Sequence, residues 1–353
     1  MSGYPYSDEE LKVVGSYPAT RGPDTPKLNT PVTPMENLNR LRRGEKPLWI
    51  PTQNDFTSFT PRVVPDNVAR GFAFDAEPPL TPEQSGGPDM FGTEWVYITQ
   101  AGGSMVRPGS PRFTNANEWR DVIAFPDLDS YDWETSGKIN ARFRDSGRAF
   151  QATIMTGLFE RLISFMDFEN AAIALVDDEQ QDAVHDLFDA LADFNIRLID
   201  KHIEYYGVNA ICFHDDWGSQ RDPFFSLDTA REMLVPYLRR IVDHCHEKGM
   251  FFNLHSCGKN EKVVPAYIDA HVDMWAGQTM NDKEKLYEMY GDQIIIGFDM
   301  PAFRPGTPKE ELEAFAKDFV VRHAKGNVFI NTRGVSPVLV ELLYKYSRIQ
   351  LWG

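Results

Sequence analysis

Cysteine is scarce: the 353 residues include three, Cys212, Cys245 and Cys257. An odd, sparse set is a poor disulfide framework and points to a reducing compartment. Positive charge is also short, with 36 Lys and Arg against 52 Asp and Glu and a formal net charge of −16. A surface of that sign repels phosphate backbones, so no nucleic-acid partner is expected. No run of about 18 apolar residues occurs, so no membrane-spanning helix is expected. The opening "MSGYPYSDEELKVVGSYPAT" lacks a basic start followed by an apolar core. No secretory leader is read there, and a cytoplasmic location is expected.

What is present is a core. Apolar residues make up 42% of the chain and aromatic residues 12%, enough to bury a large α/β domain. Residues 1–45 are rich in Pro, Thr, Ser and Asn and read as an extended N-terminal arm with little regular structure. Residues 46–353 read as one catalytic domain. Its early part is broken by "EPPLTPEQSGGPD" and "RPGSPRF" into long loops around short strands such as "GFAFD" and "EWVYIT". From about residue 135, short apolar runs alternate with helical patterns. The runs are "FQATIMTG", "NAICFHDDWG", "MFFNLHSCG", "HVDMWAGQT", "QIIIGFDMP" and "NVFINTRG". With "LWIPTQ" and one strand between residues 71 and 98 the count reaches eight. Continuously apolar strands alternating with helices imply a parallel sheet covered on both faces. A closed (β/α)8 TIM barrel is the expected fold, with an open doubly wound sheet as the alternative.

Two helices can be checked by spacing. In "SLDTAREMLVPYLRRIVDHCHEKG", Leu234, Tyr237, Leu238, Ile241, Val242 and Cys245 form one apolar stripe, and Pro236 predicts a kink. "TMNDKEKLYEMYGDQ" is a shorter helix capped by Asn281 or Asp282 and stopped by Gly291. "AAIALVDD" reads as helix, since a strand there would give a ninth unit.

Polar residues gather where the strands end, and in a parallel barrel those ends share one mouth. They are Gln53, Asn54 and Asp55; His214, Asp215 and Asp216, with Trp217 and Gln220 beyond; His255 and Cys257; Gln278; Asp299; Asn331 and Arg333. In an extended strand residues i and i+2 point the same way. His255 and Cys257 therefore reach one point, and imidazole with thiolate suits zinc. A third ligand has candidates in His214, Asp215, Asp216, Asp299 and Glu94, with His214 leading the set. A lone His-x-Cys also fits a packed cysteine beside a satisfied histidine. Cys245 lies on the helix stripe and Cys212 inside a strand, so both are expected to pack. Asp215 and Asp216 are adjacent and point to opposite sides, so one of them faces the mouth. Asp215, Asp216 and Asp299 are candidates for general acid or substrate-orienting roles. Asn54, Trp217, Gln220, Gln278 and Arg333 are candidates for substrate binding, and Trp217 with "DPFFS" would suit an aromatic substrate.

"DDWGSQ", then a helix, then "HSCGK", then "WAGQTMNDKEKLYEMYGDQIIIGFD" resembles the uroporphyrinogen decarboxylase superfamily, most closely its zinc- and corrinoid-dependent methyltransferase branch. The resemblance spans about residues 45–350. It implies a (β/α)8 barrel with its site at the C-terminal mouth, and His255 and Cys257 as ligands of a catalytic zinc. It also implies a corrinoid (cobalamin) carried by a separate partner protein, and a small methylated donor or acceptor. Two departures stand out. The further cysteine that such zinc sites commonly have near the last strand is absent from "NVFINTRGVSP". The arginine-rich motif that holds the decarboxylase's acidic substrate is absent from "IPTQNDFTSF". O-demethylation is therefore the favoured reaction. The alternatives are a decarboxylase or lyase without essential metal, and a non-catalytic tetrapyrrole-binding barrel. A homodimer is left open.

Overall fold

The computed structural model describes residues 4–100 and 102–352. Seven parallel strands build the main sheet: β1 (Phe56–Phe59), β2 (Ala149–Ile154), β3 (Ala210–His214), β4 (Phe251–His255), β5 (Met274–Trp275), β6 (Ile295–Asp299) and β7 (Val328–Asn331). Each pairs with its neighbour in sequence, β1 through β7. The sheet curls back on itself just before β1: Thr52 bridges Ile330 in parallel, and the Ile330 N–H donates to the Pro51 carbonyl at 2.9 Å. The result is an α/β, TIM-like barrel. No described helix is long and apolar enough to cross a membrane.

The side chains alternate as the pleat requires. Outward residues such as Phe150, Ala152, Phe213, Leu254, Ile296 and Ile330 pack under the helices in the main core. Inward residues stack in layers. The lowest layer is apolar: Phe56, Ala149, Ala210, Phe251, Met274, Ile295 and Phe329. The positions two residues further along β1, β2, β4 and β6 are Ser58, Gln151, Asn253 and Gly297. Two further still come His255 and Asp299. The barrel thus runs from hydrocarbon at its base to titratable groups at its mouth.

Three expectations need correction. The run "LWIPTQ" is not a strand: it supplies only the bridge at Thr52, and the first stave is Phe56–Phe59. The expected strand between residues 71 and 98 is not a barrel stave. Glu94–Ile98 joins Gly87–Pro88 and Gly103–Val106 in a separate antiparallel sheet, inside the long excursion between β1 and β2. Buried charge fixes this excursion to the barrel: Arg161 pairs with Asp66 and with Asp89 (2.5 Å), and Trp95 Nε1 donates to Asp89 at 3.0 Å. The arm over residues 1–45 also has regular structure. It holds a hairpin, Val13–Tyr17 with Thr25–Leu28, and the helix Pro34–Arg42. That helix lies under the barrel, where Leu38 and Leu41 join the lowest apolar layer.

The kink at Pro236 is present. The predicted helix splits into Leu227–Met233 and Val235–Glu247, with the proline in the first turn of the second piece. Its missing N–H costs nothing there. Phe168–Ala174 is helical, and Lys283–Tyr290 runs from an Asp282 cap to Gly291.

Candidate metal centre

β3 and β4 are adjacent and in register, with His214 opposite His255. The two rings stack, with centroids 4.8 Å apart and planes 27° from parallel. Two residues on, the chain delivers Asp216 after β3 and Cys257 after β4. The Cys257 N–H donates to Asp216 Oδ1 at 2.6 Å, which ties the two strand ends together. Glycine makes this close approach possible. Gly258 has φ +89°, and a Cβ there would stand 2.1 Å from the Gly218 carbonyl oxygen.

The outcome is four donor groups, His214, Asp216, His255 and Cys257, whose ligand atoms all lie within 4.8 Å of one another. His255 Nε2 is 3.4 Å from Cys257 Sγ, and His214 Nε2 is 3.9 Å from Asp216 Oδ1. Imidazole, thiolate and carboxylate at such separations fit zinc. The second layer of contacts fits as well. His255 Nδ1 donates to the Ala276 carbonyl at 3.0 Å. His214 Nδ1 meets Glu160 Oε2 at 2.7 Å, and Glu160 in turn accepts from Arg70 at 3.0 Å. With Nδ1 engaged on both rings, each Nε2 points its lone pair toward the cluster, the arrangement that orients metal-binding histidines. Gln278 donates to Cys257 Sγ at 3.4 Å and accepts from the Gly258 N–H at 2.9 Å.

Electrostatics follow from burial and from Glu160. Burial would raise the Glu160 pKa, but Arg70 and His214 outweigh it and lower it to about 2. Burial lowers the His255 pKa to about 3, and the neighbouring His214 adds to the effect. For His214 burial acts downward, yet Glu160 prevails and the pKa is raised. Burial raises both Asp216 and Cys257, with Glu160 adding to each. A dication among these donors would reverse the direction for the acid and the thiol.

Beside the cluster lies a cavity of about 460 Å³. Its lining includes His255, Gln220, Gln278 and Asp299, and also Gln151 and Asn253, which sequence reasoning did not single out. Asp299 accepts from Asn331 Nδ2 at 2.8 Å. Neither lysine nor arginine lines the cavity among the described residues. Lys283 is near, but its ammonium is held by the carbonyls of Gly277 (2.6 Å) and Gly297 (3.0 Å).

Other expected site residues stand elsewhere. Asp215 is 1% exposed and turns away from the mouth. It accepts the backbone N–H groups of Leu158, Phe159 and Glu160 at the start of helix Leu158–Met166, and Trp217 Nε1 at 2.9 Å. It anchors that helix and is no candidate acid. Trp217 is fully buried against Phe225 and Tyr267, so it walls no substrate. Phe224 and Phe225 pack on Phe159, away from the cavity lining. Asn54 and Arg333 are exposed and do not line the cavity; Asn54 accepts from Thr332 at 3.4 Å, and Arg333 donates its N–H to Asn331 at 3.1 Å. Glu94 lies in the separate sheet, facing Arg107. Cys212 and Cys245 are buried, as their spacing implied.

A family model, "Uroporphyrinogen decarboxylase (URO-D)", matches residues 147–335, more than half of the chain. The chain belongs to the uroporphyrinogen decarboxylase family. The match begins just before β2 and takes in every donor of the cluster. No curated protein matches the chain. Two solved structures, each of a sugar phosphate isomerase/epimerase from Parabacteroides distasonis, are similar at TM-scores of 0.31 and 0.32. They are 10% and 12% identical, over 65% and 63% of this chain and 80% and 81% of theirs. Likeness at that level carries no functional argument.

Proposed function

We propose that this family member is a zinc-dependent methyltransferase, moving a methyl group between a small methylated compound and a corrinoid carried by a separate protein. One observation supports the reading above the others: two imidazoles with Nδ1 engaged present Nε2 to a thiol and a carboxylate within 4.8 Å. His214, His255 and Cys257 would hold the zinc. Asp216 is the weakest of the four donors, because its Oδ1 already accepts the Cys257 N–H, and it yields the open position that catalysis requires. When bound, zinc supplies Lewis acidity at the mouth.

The transfer would break the carbon–oxygen bond of the methyl ether, and the corrinoid of the separate protein would supply the electron pair that accepts the methyl group. The leaving oxygen then needs a proton. Asp216 stands at the rim beside the position it leaves open, so it is the group placed to pass one on from solvent. Metal-free decarboxylation of a polyacid has less support, because among the described residues no lysine or arginine lines the cavity to hold carboxylates. The test is anaerobic incubation of the zinc-loaded protein with reduced corrinoid protein and a panel of methyl ethers. The cobalt absorption should shift as the methyl group arrives. A metal-loaded, folded protein that leaves the cobalt spectrum unchanged with every ether refutes the reading.

A further inference from the structure

The middle layer of the barrel is unusual in its chemistry. Barrel interiors are ordinarily filled by branched apolar side chains. Here Gln151 and Asn253 occupy that layer, each 6% exposed and each lining the cavity. Their mutual contact is weak, Asn253 Nδ2 to Gln151 Oε1 at 3.5 Å, and Asn253 Oδ1 is without a partner. A buried amide left so is costly unless something fills its hydrogen bonds. More amides ring the cavity above, on Gln220, Gln278 and Asn331, and the floor beneath is Phe56, Met274 and Phe329.

The charge of a fitting ligand follows from the same list. Among the described residues the ionisable ones lining the cavity are His255 and Asp299, and Asp216 and Glu160 stand close behind His255. An anion would find no lysine or arginine among the described lining residues, and the nearby Lys283 ammonium is taken up by the Gly277 and Gly297 carbonyls. A cation would find one exposed carboxylate, Asp299, already accepting from Asn331, because Glu160 is engaged by Arg70 and His214 and Asp216 by the Cys257 N–H. Amides both donate and accept, and so do hydroxyl groups. An apolar floor under a ring of amides matches a ring whose faces carry C–H and whose edge carries O–H. Asn253 and His255 are i and i+2 on β4, so their Cα atoms are about 6.6 Å apart along the strand. A six-membered ring would bridge that step.

We propose that the cavity takes an uncharged, cyclic polyol, with hydroxyls on Gln151 and Asn253 and an ether oxygen directed toward His255. Only the methyl group of that ether rests on the methyltransferase reading; recognition of the polyol stands apart from it.

Calorimetric titration tests this, on the protein with and without zinc. Three probes are used: a monomethyl ether of inositol, anisole, and benzene-1,3,5-tricarboxylate. The inositol ether should bind most tightly. Asn253→Leu and Gln151→Leu should each weaken it at least tenfold while leaving zinc content unchanged. Tighter binding of anisole or of the tricarboxylate, or no polyol binding at millimolar concentration, overturns the proposal. The ranking on the unmodified protein decides even where a variant fails to fold. A chain that ranks the probes as expected but takes up no zinc would refute the methyltransferase reading and leave the polyol site standing.

Discussion

Cys257 and Asp216 are the two residues at which the account of the centre is most exposed. Cys257→Ala removes the only sulfur donor of the cluster, so bound zinc measured by elemental analysis should fall to background. Asp216→Asn removes the weakest donor and should keep near-stoichiometric zinc with affinity about tenfold lower. Glu160→Gln tests the layer behind. It keeps the shape but replaces one carboxylate oxygen with an amide group, and so weakens the hold on His214 Nδ1. Zinc affinity, by competition with a chromophoric chelator, should drop roughly 10- to 100-fold. The far-ultraviolet circular dichroism should remain that of the folded protein. Unchanged affinity would mean that His214 is not a ligand.

At the scale of elements, the helix Pro34–Arg42 acts as the plug of the barrel's base. Leu38 is fully buried among the lowest layer of strand residues. Leu38→Ala should cost about 3 kcal/mol in urea unfolding. A loss under 1 kcal/mol would show that the helix merely rests on the surface. This element also marks where sequence reading stopped. The helix lies in a stretch whose Pro, Thr and Asn content suggested an unstructured arm, and its apolar stripe is only a few residues long. Strands β2 to β7 and the intervening helices were legible because their periodicity is local. The first strand was misplaced: "LWIPTQ" gives only the closing contact of Pro51 and Thr52 with Ile330, a pairing with the far end of the chain, and the stave itself is Phe56–Phe59. The His-x-Cys at the end of β4 could be read from i, i+2 geometry alone. Glu160 could not, because 54 residues separate it from His214. Asp215 misled for a related reason: which of two adjacent carboxylates meets a helix start is decided by Leu158–Met166, not by the strand. Gln151 and Asn253 did leave a signal, as amides inside the apolar runs "FQATI" and "FFNLH".

For the whole molecule, stability should decline in acid for a stated reason. His202 is 1% exposed beside Trp133 and Tyr206, and its Nε2 has no partner. Burial lowers its pKa from 6.5 to about 4. A histidine depressed in the folded state contributes fully above the unfolded value, and that contribution is lost as pH falls toward the folded one. Between pH 7.5 and pH 5 this group alone should remove about 2 kcal/mol. Urea unfolding in the presence of chelator, which keeps zinc linkage out of the comparison, should show a shallower acid decline for His202→Gln than for the unmodified chain. Parallel declines would contradict the assignment. A second whole-chain tie is the buried pair of Glu10 and Arg348, 2.7 Å apart, which joins the N-terminal segment to the last helix. Breaking it with Glu10→Ala leaves an uncompensated guanidinium and should cost about 3 kcal/mol.

The central claim is that the ends of β3 and β4 together hold zinc, and X-ray absorption at the zinc edge addresses it most directly. The account predicts one sulfur at about 2.3 Å and two imidazole nitrogens at about 2.0 Å, completed by oxygen, in stoichiometric amount. A zinc shell without sulfur, or a folded protein that takes up no zinc, would contradict it.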